Sequence, residues 1–215
     1  MSVREGDSNG IDASGESASG APVYDVNPFD QLSVERAEAL TPRITAVDEV
    51  FDAGFVHLEQ VHLELPNGHT TVHTVVRHPG AVGIVPLDDD MNVMLEYQHR
   101  TAADEITVEI PAGKLDEGES PIVCAKRELS EETGYEAAEY NLLTVMDSAL
   151  GYSDERIHLF VAQGLVRGPQ HTDEDEFVDC LWMPLERAIS CVMAGTITDS
   201  KSIIALLMTA RRLGI

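Results

Sequence analysis

Positive charge is what this sequence has least of for its length: 14 Lys and Arg stand against 38 Asp and Glu, a formal net charge of -24. Affinity for nucleic acid comes largely from basic side chains that neutralise phosphates, and no Lys/Arg cluster is present, which excludes DNA and RNA as bulk partners. An acidic surface also repels anionic lipid. Cysteine is sparse as well. Cys124, Cys180 and Cys191 are odd in number and lack C-x-x-C spacing. That excludes a disulfide framework and predicts buried thiols in a reducing compartment. No apolar run approaches membrane-spanning length, and the first residues lack the basic-then-apolar order of a secretion signal. Together these absences predict a soluble cytoplasmic protein without nucleic-acid or membrane partners. His57, His62, His69 and His73 fall in a strand-like region and read as strand-face residues rather than metal ligands; His69 and His73 are four apart, a spacing that brings side chains together on a helix but not on a strand. Ser153 sits in no G-x-S-x-G turn, which argues against a serine hydrolase.

What remains is ordinary globular material, with 43% hydrophobic and 24% charged residues. Residues 1–22 are mostly Ser, Gly, Asp and Glu, too polar to offset the entropy of ordering, and read as a flexible tail. Leu32, Val34 and Leu40 fit a short helix or a segment lying along another subunit. From Ile44 to His78 apolar residues alternate in strand fashion around Asp52-Ala53-Gly54 and Pro66-Asn67-Gly68 turns, predicting a three-stranded antiparallel sheet. Gly80 to Leu87 and Met91 to Gln98 read as two buried strands joined by Asp88-Asp89-Asp90. Ser120 to Thr133 reads as a helix capped by Ser120, with Pro121 in its first turn and Gly134 at its left-handed end. Strands are expected near 141–145, 157–162 and 177–183, and helices near 185–194 and 200–213. The fold class is therefore α/β (α+β). The chain divides into a lead-in at 1–43, an antiparallel sheet at 44–79 and a main domain at 80–215.

The chemistry concentrates between Gly113 and Tyr135. On the predicted helix Glu128 and Glu132 lie four residues apart on one face, with Glu131 close to it. Like charges at that spacing repel unless a cation lies between them. Mg²⁺ takes carboxylate and carbonyl oxygens and is commonly bound together with substrate phosphates. In an acidic protein an E-x-x-E-E run is most often a solvated helix face, so its surroundings decide. Gly113, Glu119, Arg127-Glu128-Leu129, Glu131-Glu132 and Gly134-Tyr135 reproduce G-x5-E-x7-R-E-U-x-E-E-x-G-U, where U is a bulky apolar residue.

This spacing resembles the Nudix box of Nudix hydrolases. The resemblance implies an α/β/α sandwich with a mixed sheet, and Mg²⁺ or Mn²⁺ held by Glu128, Glu132 and the Ala112 carbonyl. It implies that Arg127 orients the glutamates, with Glu131 beside them and Glu119 pairing with Arg127. The flanking runs Glu109-Ile110-Pro111-Ala112, Gln98-His99-Arg100, His78-Pro79-Gly80 and Gly151-Tyr152-Ser153-Asp154-Glu155 are similar to the ADP-ribose pyrophosphatase branch. That branch implies hydrolysis of a nucleoside diphosphate sugar by a homodimer whose N-terminal sheets exchange. Arg100, Arg77, Glu109 and Glu155 become candidate substrate contacts. Glu174 in the Asp173-Glu174-Asp175-Glu176 run becomes the candidate general base, with Glu176 as alternative base or metal ligand. Leu150 stands where ADP-ribose relatives usually carry proline, which marks it as a candidate specificity position. Another ADP-sugar, a UDP-sugar, a dinucleotide substrate, or a non-catalytic nucleotide-sugar sensor stays open at this point.

Overall fold

The computed structural model describes residues 27–169 and 177–215; the expected tail over 1–22 and the run Asp173–Glu176 lie outside the described residues. After a single 3-10 turn at Pro28–Gln31, α1 (Val34–Leu40) begins at Ser33, whose hydroxyl accepts from the Arg36 N–H at 3.3 Å. The alternating segment forms β1 (Arg43–Asp52), β2 (His57–Glu64) and β3 (Thr70–Arg77), an antiparallel sheet in the order β1-β2-β3. Asn67 shapes the β2–β3 turn by accepting from the His69 N–H at 3.1 Å. β1 is exposed along its whole length although it carries Ile44, Val47, Val50 and Phe51.

The centre of the molecule is β4 (Ala81–Pro86). It lies in a four-stranded mixed sheet with β7 (Ala112–Lys114), β8 (Tyr135–Asp147) and β9 (Arg156–Arg167), in the order β7-β4-β9-β8. β4 runs parallel to β9 and antiparallel to β7, and each of its residues is buried. Burial on both faces explains its unbroken apolar run. Val82 and Ile84 face α2 (Pro121–Thr133) and pack with Cys124, Ala125 and Leu129. Ala81 and Val85 face the other way, into a core with Leu159, Leu206 and Ala210, the last two on α4 (Ser200–Leu213). A sheet between α2 on one side and α4 on the other is the expected sandwich.

The second run also forms a strand, buried from Val93 to Glu96. β5 (Asn92–Arg100) does not pair along β4. It joins a separate antiparallel sheet between β10 (Val178–Pro184) and β6 (Glu105–Glu109). The two runs touch through one bridge, Leu87 to Val93, beyond which they diverge. Asp88 makes that divergence by accepting from the N–H groups of Asp90 and Asn92 at 3.0 and 2.7 Å. β6 and β7 are too short for a periodic signal, and neither is anticipated by the sequence pattern.

α2 starts without a side-chain cap, so the expected role of Ser120 is not met; Pro121 occupies the first turn, and Gly134 ends the helix at φ 69°. α3 (Leu185–Met193) leads through Thr198 to α4, which is capped by Asp199. The thiols are less uniform than expected: Cys124 is buried, whereas Cys180 and Cys191 are only partly covered. Trp182 is 40% exposed and stands edge-on to Tyr135 rather than filling the core. Among the described residues no helix is long and apolar enough to cross a membrane.

Candidate active site

Helix periodicity places Cys124, Glu128 and Glu132 on one face of α2, and all three are buried. An apolar residue there would need no comment, but two of the three are carboxylates. Both meet β7 within two successive residues. The Glu132 Oε2 accepts from the Ala112 N–H at 2.9 Å. The Glu128 carboxylate lies directly over Gly113, where an added Cβ would stand 1.8 Å from its Oε1. Gly113 is therefore glycine because a carboxylate occupies the space a side chain would fill.

Arg127 sits at the rim of this pair. Its Nε and Nη2 donate to the two oxygens of Glu119 at 3.1 and 2.9 Å, and its Nη1 donates to Glu128 at 2.8 Å and Glu131 at 2.9 Å. One guanidinium thus gathers three carboxylates, and its own pKa is raised, chiefly by Glu119. The same bond holds Glu119 down at about 2. The geometry matches the expected pairing of Glu119 with Arg127.

Beside β7 opens a cleft of about 430 Å³, lined among others by Arg100, Thr107, Glu109, Ala112, Gly113, Lys114, Glu155 and Lys201. On its far wall Arg100 donates from Nε and Nη2 to the two oxygens of Glu109 at 2.7 and 2.6 Å, a bidentate pair. Glu109 is buried, and Lys201 of α4 bonds it from the other side. Burial alone would raise the Glu109 pKa; Arg100 and Lys201 overcome that and hold it at about 2. Glu155 also lines the cleft, accepting from the Ser148 hydroxyl at 2.5 Å and lying 3.6 Å from His78.

Not every expected contact gathers here. Arg77 is drawn to Glu59 at 2.7 Å and Asp154 at 3.1 Å, and lines a neighbouring hollow with Phe55 and His78. Leu150 is 72% exposed and is not part of the cleft wall. Glu174 and Glu176 lie outside the described residues. Among the described residues no group of three or more His, Cys, Asp and Glu side chains already stands at metal-binding separation. What Glu128, Glu132 and the β7 backbone offer is hard oxygen donors, the chemistry that suits Mg²⁺ or Mn²⁺ rather than a soft metal.

Lys201, Asp199, Thr107 and Lys114 were missed by sequence reasoning. Asp199-Ser200-Lys201 reads simply as a helix start, and nothing local tells that the lysine turns inward. Glu96, fully buried on β5 and paired in register with both Glu109 and Cys180, was missed too. A carboxylate inside the apolar run Val93-Met94-Leu95 was the available signal, because an acid in such a place needs a reason. Burial, then Glu96 and Glu132, push the Cys180 thiol up to about 11, which places it within the field of both acids.

Comparison with known proteins agrees with this arrangement. The NUDIX domain family model matches residues 77–207. An ADP-ribose pyrophosphatase of Bacillus subtilis (strain 168) is 35% identical over 171 residues, covering 79% of this chain and 92% of that protein. The methanol dehydrogenase activator of Bacillus methanolicus is 41% identical over 161 residues, 74% of this chain and 87% of its own. A solved structure described as an ADP compounds hydrolase superposes with a TM-score of 0.73 at 26% identity, covering 81% of this chain and 96% of that one.

Proposed function

Because the chain belongs to the NUDIX domain family, we propose that it is a divalent-metal-dependent pyrophosphohydrolase acting on a nucleoside diphosphate sugar, with ADP-ribose as substrate. Water attacks one phosphorus of the diphosphate, releasing AMP and ribose 5-phosphate. The observation that carries this reading is the convergence of Glu128 and Glu132 on Ala112 and Gly113, one wall away from the Arg100–Glu109 pair. Carboxylates seated behind the Ala112–Gly113 wall of the cleft and a guanidinium on another wall suit a dianionic diphosphate whose charge a cation would neutralise. Glu128, Glu132 and the Ala112 carbonyl would hold Mg²⁺, which when bound neutralises phosphate charge.

The chain's own residues do the positioning. Arg127 keeps Glu128 and Glu131 from swinging into solvent, and Glu119 anchors Arg127 in turn. Arg100 offers the diphosphate a planar donor fork, and Glu155 orients the sugar side. The proton of the attacking water is assigned to Glu174, with Glu176 as the alternative base or metal ligand; the support is the position of residues 173–176 in the sequence. Arg77 and Leu150 reach substrate only if a second subunit covers their surfaces. A homodimer joined through the 44–79 sheet is supported by the exposed apolar residues of β1, with 80–215 as the hydrolytic unit. A cytoplasmic setting is supported by the free thiols.

The deciding experiment is a hydrolysis screen of ADP-ribose, ADP-glucose, UDP-glucose, NADH and dinucleoside polyphosphates with Mg²⁺ or Mn²⁺. ADP-ribose is expected to give the highest kcat/KM, with AMP as product. Absence of AMP release from any of them, with either metal, would sink the assignment. Glu174→Gln and Glu176→Gln, assayed separately, locate the base, since its loss lowers kcat about 10²- to 10⁴-fold. Wild-type kcat in both would place the base elsewhere.

A further inference from the structure

The strongest unused feature of the cleft is the first turn of α4. Asp199 caps the helix by accepting at 2.9 Å from the Ser202 N–H, and it also binds the Ser202 hydroxyl at 2.5 Å and Lys201 Nζ at 3.1 Å. The Ser202 Oγ in turn accepts from the Ile110 N–H at 2.9 Å, and Lys201 bonds the carboxylate of Glu109. Glu109 of the cleft wall and the buried Ile110 that follows it are thus gripped by two consecutive residues of one helical turn. The next two are fixed by other elements. The Pro111 carbonyl accepts from Ile84 of β4 at 2.9 Å, and the Ala112 N–H is held by Glu132 of α2.

We propose that Lys201 is a positioning residue of the active site: through Glu109 it fixes the plane and reach of the Arg100 guanidinium toward the substrate diphosphate. This rests on the hydrolase reading above. Glu109 spends both oxygens on Arg100, and Oε2 is shared with Lys201. Oε1 also accepts from the Thr107 hydroxyl at 2.5 Å, but Thr107 lies on β6 with Glu109 itself and Arg100 on the paired β5; Lys201 is what ties the carboxylate to α4. Arg100 itself is 42% exposed, and among the described residues its guanidinium is hydrogen-bonded by Glu109. Lys201 is itself buried and does not need to touch substrate for this role.

The test is a double-mutant cycle read in separate KM and kcat values. Lys201→Met removes the charge and keeps the length. It should raise KM for ADP-ribose at least about tenfold, with kcat within about threefold. Lys201→Arg should restore KM to near wild type. In an Arg100→Ala background Lys201→Met should add less than about twofold, because the group it positions is gone. Lys201→Leu, which cannot donate to Glu109 either, is carried alongside as a second uncharged variant should the methionine protein fold poorly. Additive KM effects in the cycle, or a Lys201→Met or Lys201→Leu protein that melts lower but keeps its KM, overturn the role of Lys201 while leaving the hydrolase reading intact. A wild-type protein inert on every diphosphate in the screen overturns both.

Discussion

Gly113 shows how a single position can be dictated by a partner 15 residues further along the chain, Glu128. A methyl group there would occupy the place of the Glu128 carboxylate, and the far end of a glutamate can move aside at modest cost. Gly113→Ala should therefore lower thermal stability little, while turnover falls at least about tenfold because the displaced carboxylate no longer points where the cation is held. Thermal melts beside kcat at saturating Mg²⁺ check this; unchanged turnover would mean that the placement of Glu128 is immaterial. Glu132→Gln keeps the shape but loses the charge, and kcat should drop at least about a hundredfold, roughly 2.7 kcal/mol, with the fold retained. Near-normal turnover would remove Glu132 from the site. Glu109 gives a pH signature. Its folded pKa of about 2 lies below the ordinary carboxylate value, so its contribution, on the order of 3 kcal/mol, is fully present above about pH 4.5 and is lost as pH falls through 2. Urea unfolding of wild type and Glu109→Gln should differ more at pH 7 than at pH 3. A gap independent of pH would show that the ion pairs contribute no net stability.

At the scale of elements, the helix caps divide in a measurable way. Ser120 caps nothing with its side chain, whereas Asp199 accepts from the Ser202 N–H and also steadies Lys201. Ser120→Ala should change unfolding free energy by less than about 0.5 kcal/mol, and Asp199→Ala should cost about 1–2 kcal/mol. Equal losses in urea melts would contradict the assigned caps. The same contrast explains what could be read in advance. The box from Gly113 to Tyr135 was legible because its residues are close in sequence and their spacing is set by one helix. The three strands of the first sheet were legible because alternation and the Asn67-Gly68 turn are local signals. The separation of β4 from β5 into two sheets was not, since both are apolar runs and only their distant partners distinguish them. Neither was Lys201, whose meaning depends on a carboxylate 92 residues earlier. Cys180 on β10 and Cys191 on α3 are only partly covered, since composition says nothing of which side of a strand or helix a cysteine occupies.

At the scale of the molecule, the first sheet and the main domain are not merely consecutive. Val76 on β3 accepts from the Asp154 N–H and donates to the Tyr152 carbonyl at 2.7 Å, and Asp154 holds Arg77 and the His78 N–H. Glu155 follows directly in the chain. Removing residues 1–22 should leave turnover unchanged. Removing residues through His78 should abolish activity and the proposed dimer together, because it takes away the exposed apolar residues of β1 and releases the loop that carries Glu155. Mass in solution and kcat for both truncations provide the check. An active monomer beginning near Gly80 would show that the sheet contributes nothing to the site.

The grip of α4 on Glu109 and Ile110 has a consequence for the birth of the protein. Ribosomes add roughly 5–20 residues per second, so the 92 residues between each strand contact and its helical partner take on the order of 5–20 s to be made. For that interval the nascent chain carries the cleft's arginine and carboxylate without the lysine and serine that seat them. The catalytic wall thus reaches its final shape after the box has been translated, and a ribosome stalled before Ser202 would display a complete set of box glutamates beside an unfinished cleft.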